Sequence, residues 1–148
     1  MRGLFLSLKK IAVCLALVTV ALAGNAQAEQ TLKLGVFVTA SGPGADLGAQ
    51  MRAGIEVAVD RISKDFAIAG EPAKIEVFWY DDEGKGDVGL SAVMRALTVD
   101  KINVALGFNS TDIVSRVVDE FQKSAVPFIT CCAGGRSIFK TIAAKQQN

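Results

Sequence analysis

The sequence predicts an α/β fold in which a parallel sheet of four strands is flanked by three helices. Short apolar runs rich in β-branched residues are typical of strands that are buried on both faces of a sheet. Between these runs, apolar residues recur at steps of three and four, as they do on one face of a helix. The two patterns alternate along the chain, which favours a parallel sheet with helices on both faces.

The elements follow one another from residue 32 to residue 132. The predicted strands are 32–38, 74–82, 102–108 and 125–132. The predicted helices are 45–66, 87–99, with Asp87 as a candidate N-cap, and 112–124. The apolar residues expected to face inward from the third helix are Ile113, Val114, Val117, Val118 and Phe121. Residues 67–73 are predicted to form a turn because Gly70 and Pro72 interrupt both patterns. In the first helix, Gly54 and Ala58 would permit close packing on the sheet.

Ligands of such folds gather at the carboxyl ends of the strands, so function is expected in the loops at that edge. The four loops are 39–48, 80–87, 107–112 and 130–137.

The first 28 residues have the pattern of an export signal. Arg2, Lys9 and Lys10 precede an apolar core over 11–22, and the small residues of 26–28 suit a cleavage site. The apolar core is too short to span a bilayer. We therefore expect a signal peptide, residues 1–28, that is cleaved after Ala28 to release a soluble exported protein beginning at Glu29.

Charge and residue content exclude several classes of function. Three of the 16 basic residues and none of the 15 acidic ones lie in the signal, so the remainder has a net charge of −2 (13 against 15). That charge does not favour nucleic acid or an anionic membrane. Histidine is absent, which removes the usual general base and the commonest zinc ligand. We expect no metal and no cofactor.

Two cysteines remain after the signal, Cys131 and Cys132, and they are adjacent. Disulfide geometry strains the peptide between neighbouring cysteines, and their spacing is not that of a metal site. We expect them to be buried small residues.

An enzyme built on this chain would lack key groups. Ser41 and Ser110 have no histidine base, and the adjacent Asp81 and Asp82 would point to opposite faces of a strand. The glycines of 42–48 do not have the G-x-G-x-x-G spacing of a dinucleotide site. No catalytic residue is predicted. An exported α/β enzyme lobe stays as an alternative.

Four segments in order carry a family resemblance. "LKLGVFVTASGPGADLGAQMRAGIEVAVDRI", "IEVFWYDDEGKGD", "NVALGFNST" and "SAVPFITCCAGG" together resemble the N-terminal part of the periplasmic branched-chain amino acid-binding family. These proteins are the type I solute receptors of ABC importers. The resemblance runs from about Leu32 to Gln147 and implies half of lobe one of a two-lobed, periplasmic, non-catalytic binding protein that delivers a small ligand to a membrane permease.

The resemblance also implies ligand contacts. In the family, the helix start after the third strand and the loop after the fourth hold the ligand's carboxylate through amides and hydroxyls. One further residue lies over the ligand. The corresponding residues here are Leu47, Asn109, Ser110, Thr111, Cys132, Ala133 and Gly134. Helix capping alone would also favour Ser110 or Thr111.

This chain departs from the family pattern in three respects. Gly134 stands where the family has Thr or Ser, and Asp112 adds a negative charge beside the expected carboxylate site. An α-amino acid, another small carboxylate and an amide are therefore all open as ligands.

The third departure is length. We expect a partial lobe over 29–135 and a truncated approach to the hinge over 136–148, hence weak binding by this chain alone. A ligand-sensing domain with the same fold is a further alternative.

Overall fold

A computed structural model describes residues 29–136, 138 and 140. The expected signal peptide, residues 1–28, and most of 136–148 lie outside the described residues. Five strands and three helices follow one another in the order β-α-β-β-α-β-α-β along the described part of the chain. The strands are β1 (Gln30–Val38), β2 (Ala67–Ile68), β3 (Glu71–Asp81), β4 (Val104–Gly107) and β5 (Phe128–Thr130). The helices are α1 (Ala45–Ile62), α2 (Gly86–Arg95, continued by a π-helical turn, Ala96–Asp100) and α3 (Thr111–Ser124).

The sheet has the order β2-β3-β1-β4-β5. β1 pairs in parallel with β3 and β4, and β4 pairs in parallel with β5, so the predicted parallel α/β fold is confirmed. The fifth strand, β2, was not predicted. It pairs antiparallel with the start of β3 across a tight turn in which Ala69 and Gly70 both have positive φ, as a type I′ hairpin requires. The segment predicted as a plain turn is therefore a short hairpin.

The two faces of the sheet are covered unequally. On one face, α2 and α3 enclose the core, in which Phe37 stacks on Tyr80 and on Phe108 with ring centroids 4.7 Å apart in both pairs. All five apolar residues predicted to face inward from α3 are buried. They are Ile113, Val114, Val117, Val118 and Phe121.

The opposite face carries α1, and the predicted packing of this helix is partly wrong. Gly48 is the buried residue of α1, whereas Gly54 is exposed and a Cβ added to it would meet no atom within 4 Å. The guanidinium of Arg52 lies over the ring of Trp79, 4.4 Å from its centroid. The helix therefore approaches the sheet at its N-terminal turn and not at Gly54.

The first turn of α2 also differs from the prediction. The helix begins at Gly86 with Lys85 as N-cap, and no side chain caps it. Asp87 instead lies inside the first turn, where its Oδ1 accepts a hydrogen bond of 2.8 Å from Arg116 Nη1 of α3. Asp87 lies two residues after the N-cap position and cannot cap the helix, and its carboxylate instead links α2 to α3 through an ion pair.

Candidate functional site

The carboxyl ends of the four parallel strands meet at one edge of the sheet, as predicted. The register pairs Val38 of β1 with Asp81 of β3, and pairs Gly107 of β4 with both Phe37 and Thr130. The loops that follow these strands therefore lie side by side. They form the candidate site.

Hydrogen-bonded polar side chains connect the loops at this edge of the sheet. Asp82 is fully buried, and its Oδ1 accepts hydrogen bonds from Thr39 Oγ1 (2.7 Å) and from the Gly84 amide (2.9 Å). Thr39 Oγ1 also lies 2.9 Å from Asn109 Oδ1. Asp82 Oδ2 has no hydrogen-bond partner among the described residues. Hydrogen bonds are strong in a low dielectric. The bonds among Thr39, Asp82 and Asn109 therefore fix the loops after β1, β3 and β4 relative to one another.

Asp81 also holds the loop after β1, through a separate set of hydrogen bonds. Its Oδ1 accepts from the amides of Ala40 (2.8 Å), Ser41 (3.3 Å) and Glu83 (2.8 Å), and its Oδ2 accepts from Ser41 Oγ (2.7 Å). Partial burial opposes ionisation, but these hydrogen bonds outweigh it and lower the pKa of Asp81. The amides of Ala40 and Ser41 are therefore committed to a carboxylate of the protein and are not free to cradle a phosphate.

Two glycines shape the connection between the loop after β1 and helix α1. Gly44 occupies the N-cap position with φ 97°, a left-handed conformation that favours glycine. A Cβ on Gly48 would collide with the carbonyl oxygen of Thr39, so only glycine permits this approach. Leu47, one of the expected ligand contacts, lies in the first turn of α1 and is 43% exposed beside the site.

The start of α3 provides polar groups at the centre of the edge. Gly107 (φ 129°) and Phe108 (φ 59°) turn the chain out of β4, and burial of the Phe108 ring holds this unusual backbone in place. Ser110 is the N-cap residue by its extended backbone, but no side chain caps the helix. The Ser110 hydroxyl makes no hydrogen bond within the described part of the chain.

The loop after β5 lies against this helix start. Thr111 Oγ1 accepts a hydrogen bond of 3.1 Å from the Gly135 amide, which leaves the hydroxyl proton of Thr111 free to donate. The Ala133 side chain is buried, and its amide lies 3.4 Å from Thr130 Oγ1. Gly134 is exposed, and a Cβ there would meet nothing within 4 Å. Of the expected contacts in this loop, Gly134 and Cys132 therefore face outward and Ala133 packs inward.

The prediction that Cys131 and Cys132 are buried is wrong. Both residues are exposed. The strand was predicted to reach residue 132, but β5 ends at Thr130, so both cysteines lie in the loop beyond the cover of the helices.

The structure adds Thr39 and Asp82 to the site, which the sequence pattern did not single out as a pair. Two acidic residues at the end of an apolar strand are a visible signal, but their partners come from other strands and cannot be assigned without the register. One concave region is lined by Trp79, Asp81 and Arg95 among others, and a second lies against Phe121 and Phe128; neither is lined by Ser110 or Thr111 at the start of α3. Among the described residues, no group of three or more Cys, Asp or Glu could hold a metal ion.

The profile of a family described as "Periplasmic binding protein" matches residues 31–143. The chain belongs to this family. The Leu/Ile/Val-binding protein homolog 3 of Brucella melitensis is 32% identical over 117 residues, which cover 79% of this chain and 30% of that protein. This periplasmic binding protein chain therefore spans about a third of the length of such relatives.

Solved structures agree on the fold of this periplasmic binding protein. The branched-chain amino acid transporter substrate-binding protein LivJ of Streptococcus pneumoniae, in complex with isoleucine, has a TM-score of 0.69 and is 26% identical over 76% of this chain and 32% of its own. A solute-binding protein of an ABC transporter from Rhodopseudomonas palustris BisB5, in complex with 3,4-dihydroxybenzoic acid, has a TM-score of 0.67 and is 29% identical over 76% of this chain and 30% of its own. The described residues thus form part of a type I periplasmic binding protein lobe.

Proposed function

We propose that this chain supplies one wall of the ligand cleft of an extracytoplasmic solute-binding protein that serves an ABC importer. Its ligand is a small carboxylate such as an amino acid, or a related amide, and its partner is the membrane permease. The observation that supports this proposal most directly is the uncapped start of α3 at the carboxyl edge of the sheet. The chain has no catalytic role in this proposal.

A carboxylate suits this position for electrostatic reasons. A helix N-terminus carries roughly half a positive charge and has free amides, so it attracts anions. The hydroxyls of Ser110 and Thr111 add two donors beside those amides. Asp112 adds a negative charge, but its carboxylate lies 3.4 Å from Nε of Arg116, a cation that it shares with Asp87. The negative charge that the sequence places at the site is thus partly neutralised.

Two structural neighbours narrow the ligand class. Isoleucine and 3,4-dihydroxybenzoic acid, the ligands in the two structures described above, differ in shape and in the presence of an ammonium group, but both carry a carboxylate. Gly134 lacks the hydroxyl that the family pattern has at this position, which favours a ligand anchored mainly by its carboxylate. A catalytic role for the Asp81–Asp82 pair is not favoured, because Asp81 accepts four hydrogen bonds from loop residues and Asp82 is fully buried.

A gain-of-function substitution provides the sharpest test. Gly134→Ser adds a hydroxyl in open space, and one added hydrogen bond is worth about 0.5–1.5 kcal/mol, or roughly 2- to 12-fold in affinity. Ser110→Ala should weaken binding by a similar factor without loss of stability, because its hydroxyl holds no part of the described fold. Ligand-observed NMR with isoleucine and with 3,4-dihydroxybenzoate suits the expected affinity, near millimolar for a few such bonds.

Ser91→Ala is the matched control, since it removes a hydroxyl from α2 that bonds only the Asp87 carbonyl of its own helix. The proposal fails if neither carboxylate binds, or if Ser110→Ala and Ser91→Ala leave binding equally unchanged.

Export is a separate part of the proposal. No helix in the described part of the chain is long and apolar enough to cross a membrane. Secreted material from a bacterial host should begin at Glu29, and N-terminal sequencing will check this. An intact Met1 or a lipid-modified cysteine would contradict the proposed periplasmic location.

A further inference from the structure

Two thiols lie next to each other in the loop that follows β5. The Sγ atoms of Cys131 and Cys132 are 3.3 Å apart, and both residues are exposed. The loop is fixed at both ends. The Cys131 amide bonds the Gly107 carbonyl at 3.4 Å, and the Gly135 amide bonds Thr111 Oγ1 at 3.1 Å. The two cysteines therefore lie exposed to solvent in a short loop whose ends are held by hydrogen bonds.

The geometry of adjacent cysteines is unfavourable for a disulfide bond between Cys131 and Cys132. A disulfide needs sulfur atoms about 2.05 Å apart and Cα atoms usually about 4.4 Å apart or more. Neighbouring Cα atoms are only about 3.8 Å apart across a trans peptide. Closing the ring would therefore distort the peptide between Cys131 and Cys132 and pull against the anchors of the loop.

The sulfur separation instead suits a third atom placed between the two thiolates. With bonds of about 2.3 Å, the length of a Zn–S bond, a gap of 3.3 Å gives an S–X–S angle of about 90°. A tetrahedral zinc ion requires a wider angle, and a linear copper(I) or mercury(II) centre a much wider one. A trivalent p-block atom with a lone pair has nearly right-angled bonds.

We propose that Cys131 and Cys132 form a bidentate site for trivalent arsenicals, which are thiophilic electrophiles with exchangeable oxygen ligands. The reaction with an organic arsenic(III) oxide needs no oxidant. Two As–S bonds form, the bonds from arsenic to the oxide oxygen break, and the two thiol protons leave with that oxygen as one water molecule. Arsenic stays trivalent throughout.

The protonation state of the pair is compatible with this exchange. Partial burial and the neighbouring Cys132 thiol raise the pKa of Cys131, which favours its neutral thiol form. A neutral thiol carries the proton that the water product needs. Reagents that attack only the thiolate should react slowly with Cys131 by comparison.

The test uses the full chain with Cys14→Ser, so that the adjacent pair provides the only cysteines. Phenylarsine oxide is the probe, and intact mass together with thiol titration should show one arsenical bound and two thiols consumed. A bidentate adduct should resist removal by a monothiol about 100-fold better than a single As–S bond, because the second bond forms within one molecule. The dithiol 2,3-dimercaptopropanol should remove it.

Cys131→Ser and Cys132→Ser are the matched controls, since each keeps one thiol in the same exposed loop. The proposal is overturned if the parent chain loses the arsenical to a monothiol as readily as these variants do. It is also overturned if zinc at equal concentration displaces the arsenical, or if the reduced pair closes to a disulfide faster than it captures the probe.

Discussion

At the scale of single residues, two neighbouring carboxylates form different sets of hydrogen bonds that position the loops of the site. Asp81 accepts hydrogen bonds from the loop after β1, whereas Asp82 is buried and reaches Thr39 and the Gly84 amide. The sequence shows that adjacent side chains at a strand end must point in different directions. It does not show which partners they meet, because Thr39 and Ser41 come from the loop after β1, about 40 residues earlier.

Asp81→Asn should weaken the fold in a pH-dependent manner. The pKa of Asp81 is lowered from 3.8, so the folded state favours the ionised form. Its contribution is present above the ordinary pKa and is lost as pH falls through the lower folded value. At neutral pH we expect a loss of about 1 kcal/mol in the free energy of unfolding, since asparagine cannot accept all four hydrogen bonds.

Chemical denaturation of both chains at pH 7 and below pH 3.8 will check this prediction. Asp65→Asn removes the same charge from an exposed position and serves as the control. An equal difference between parent and Asp81→Asn at both pH values would contradict the assigned role.

At the scale of elements, the close approach of α1 to the Thr39 backbone at Gly48 can be tested by substitution. Gly48→Ala should be strongly destabilising, by about 1–3 kcal/mol or more, because the added Cβ meets the Thr39 carbonyl and backbone must move. Gly54→Ala in the same helix meets nothing and should stabilise by about 0.5–1 kcal/mol, because alanine has the higher helix propensity.

Thermal and urea unfolding of the two variants will separate them. If both substitutions change stability in the same direction, α1 does not approach the sheet at Gly48. The pair is well matched because both glycines belong to one helix and receive the same side chain.

Local patterns predicted these elements with unequal success. The inward stripe of α3 was correct at every position, since a helix buried against a sheet shows its apolar period directly. For α1, the small residues Gly54 and Ala58 suggested the place of close packing, but the helix approaches the Thr39 backbone at Gly48. β2 was missed because two residues carry no period, and only the positive φ of Ala69 and Gly70 reveals the hairpin.

At the scale of the whole molecule, one face of the sheet is much less covered than the other. A row of apolar residues crosses this face in register, from Trp79 through Val36 and Leu106 to Ile129. Val36 is fully buried, but Ile129 on β5 is 60% exposed. Exposed apolar rows at the edge of a sheet favour pairing with other chains.

We therefore expect the isolated chain to associate as its concentration rises. Ile129→Lys should reduce this association, because a charged edge residue opposes strand pairing, and it should change stability little at an exposed position. Gln122→Lys on the exposed face of α3 adds the same charge elsewhere and should leave association unchanged. Sedimentation velocity over a range of concentrations measures the effect. A parent chain that stays monomeric throughout would show that α1 alone covers this face well enough, and equal effects of the two lysines would assign the association to net charge and not to the apolar row.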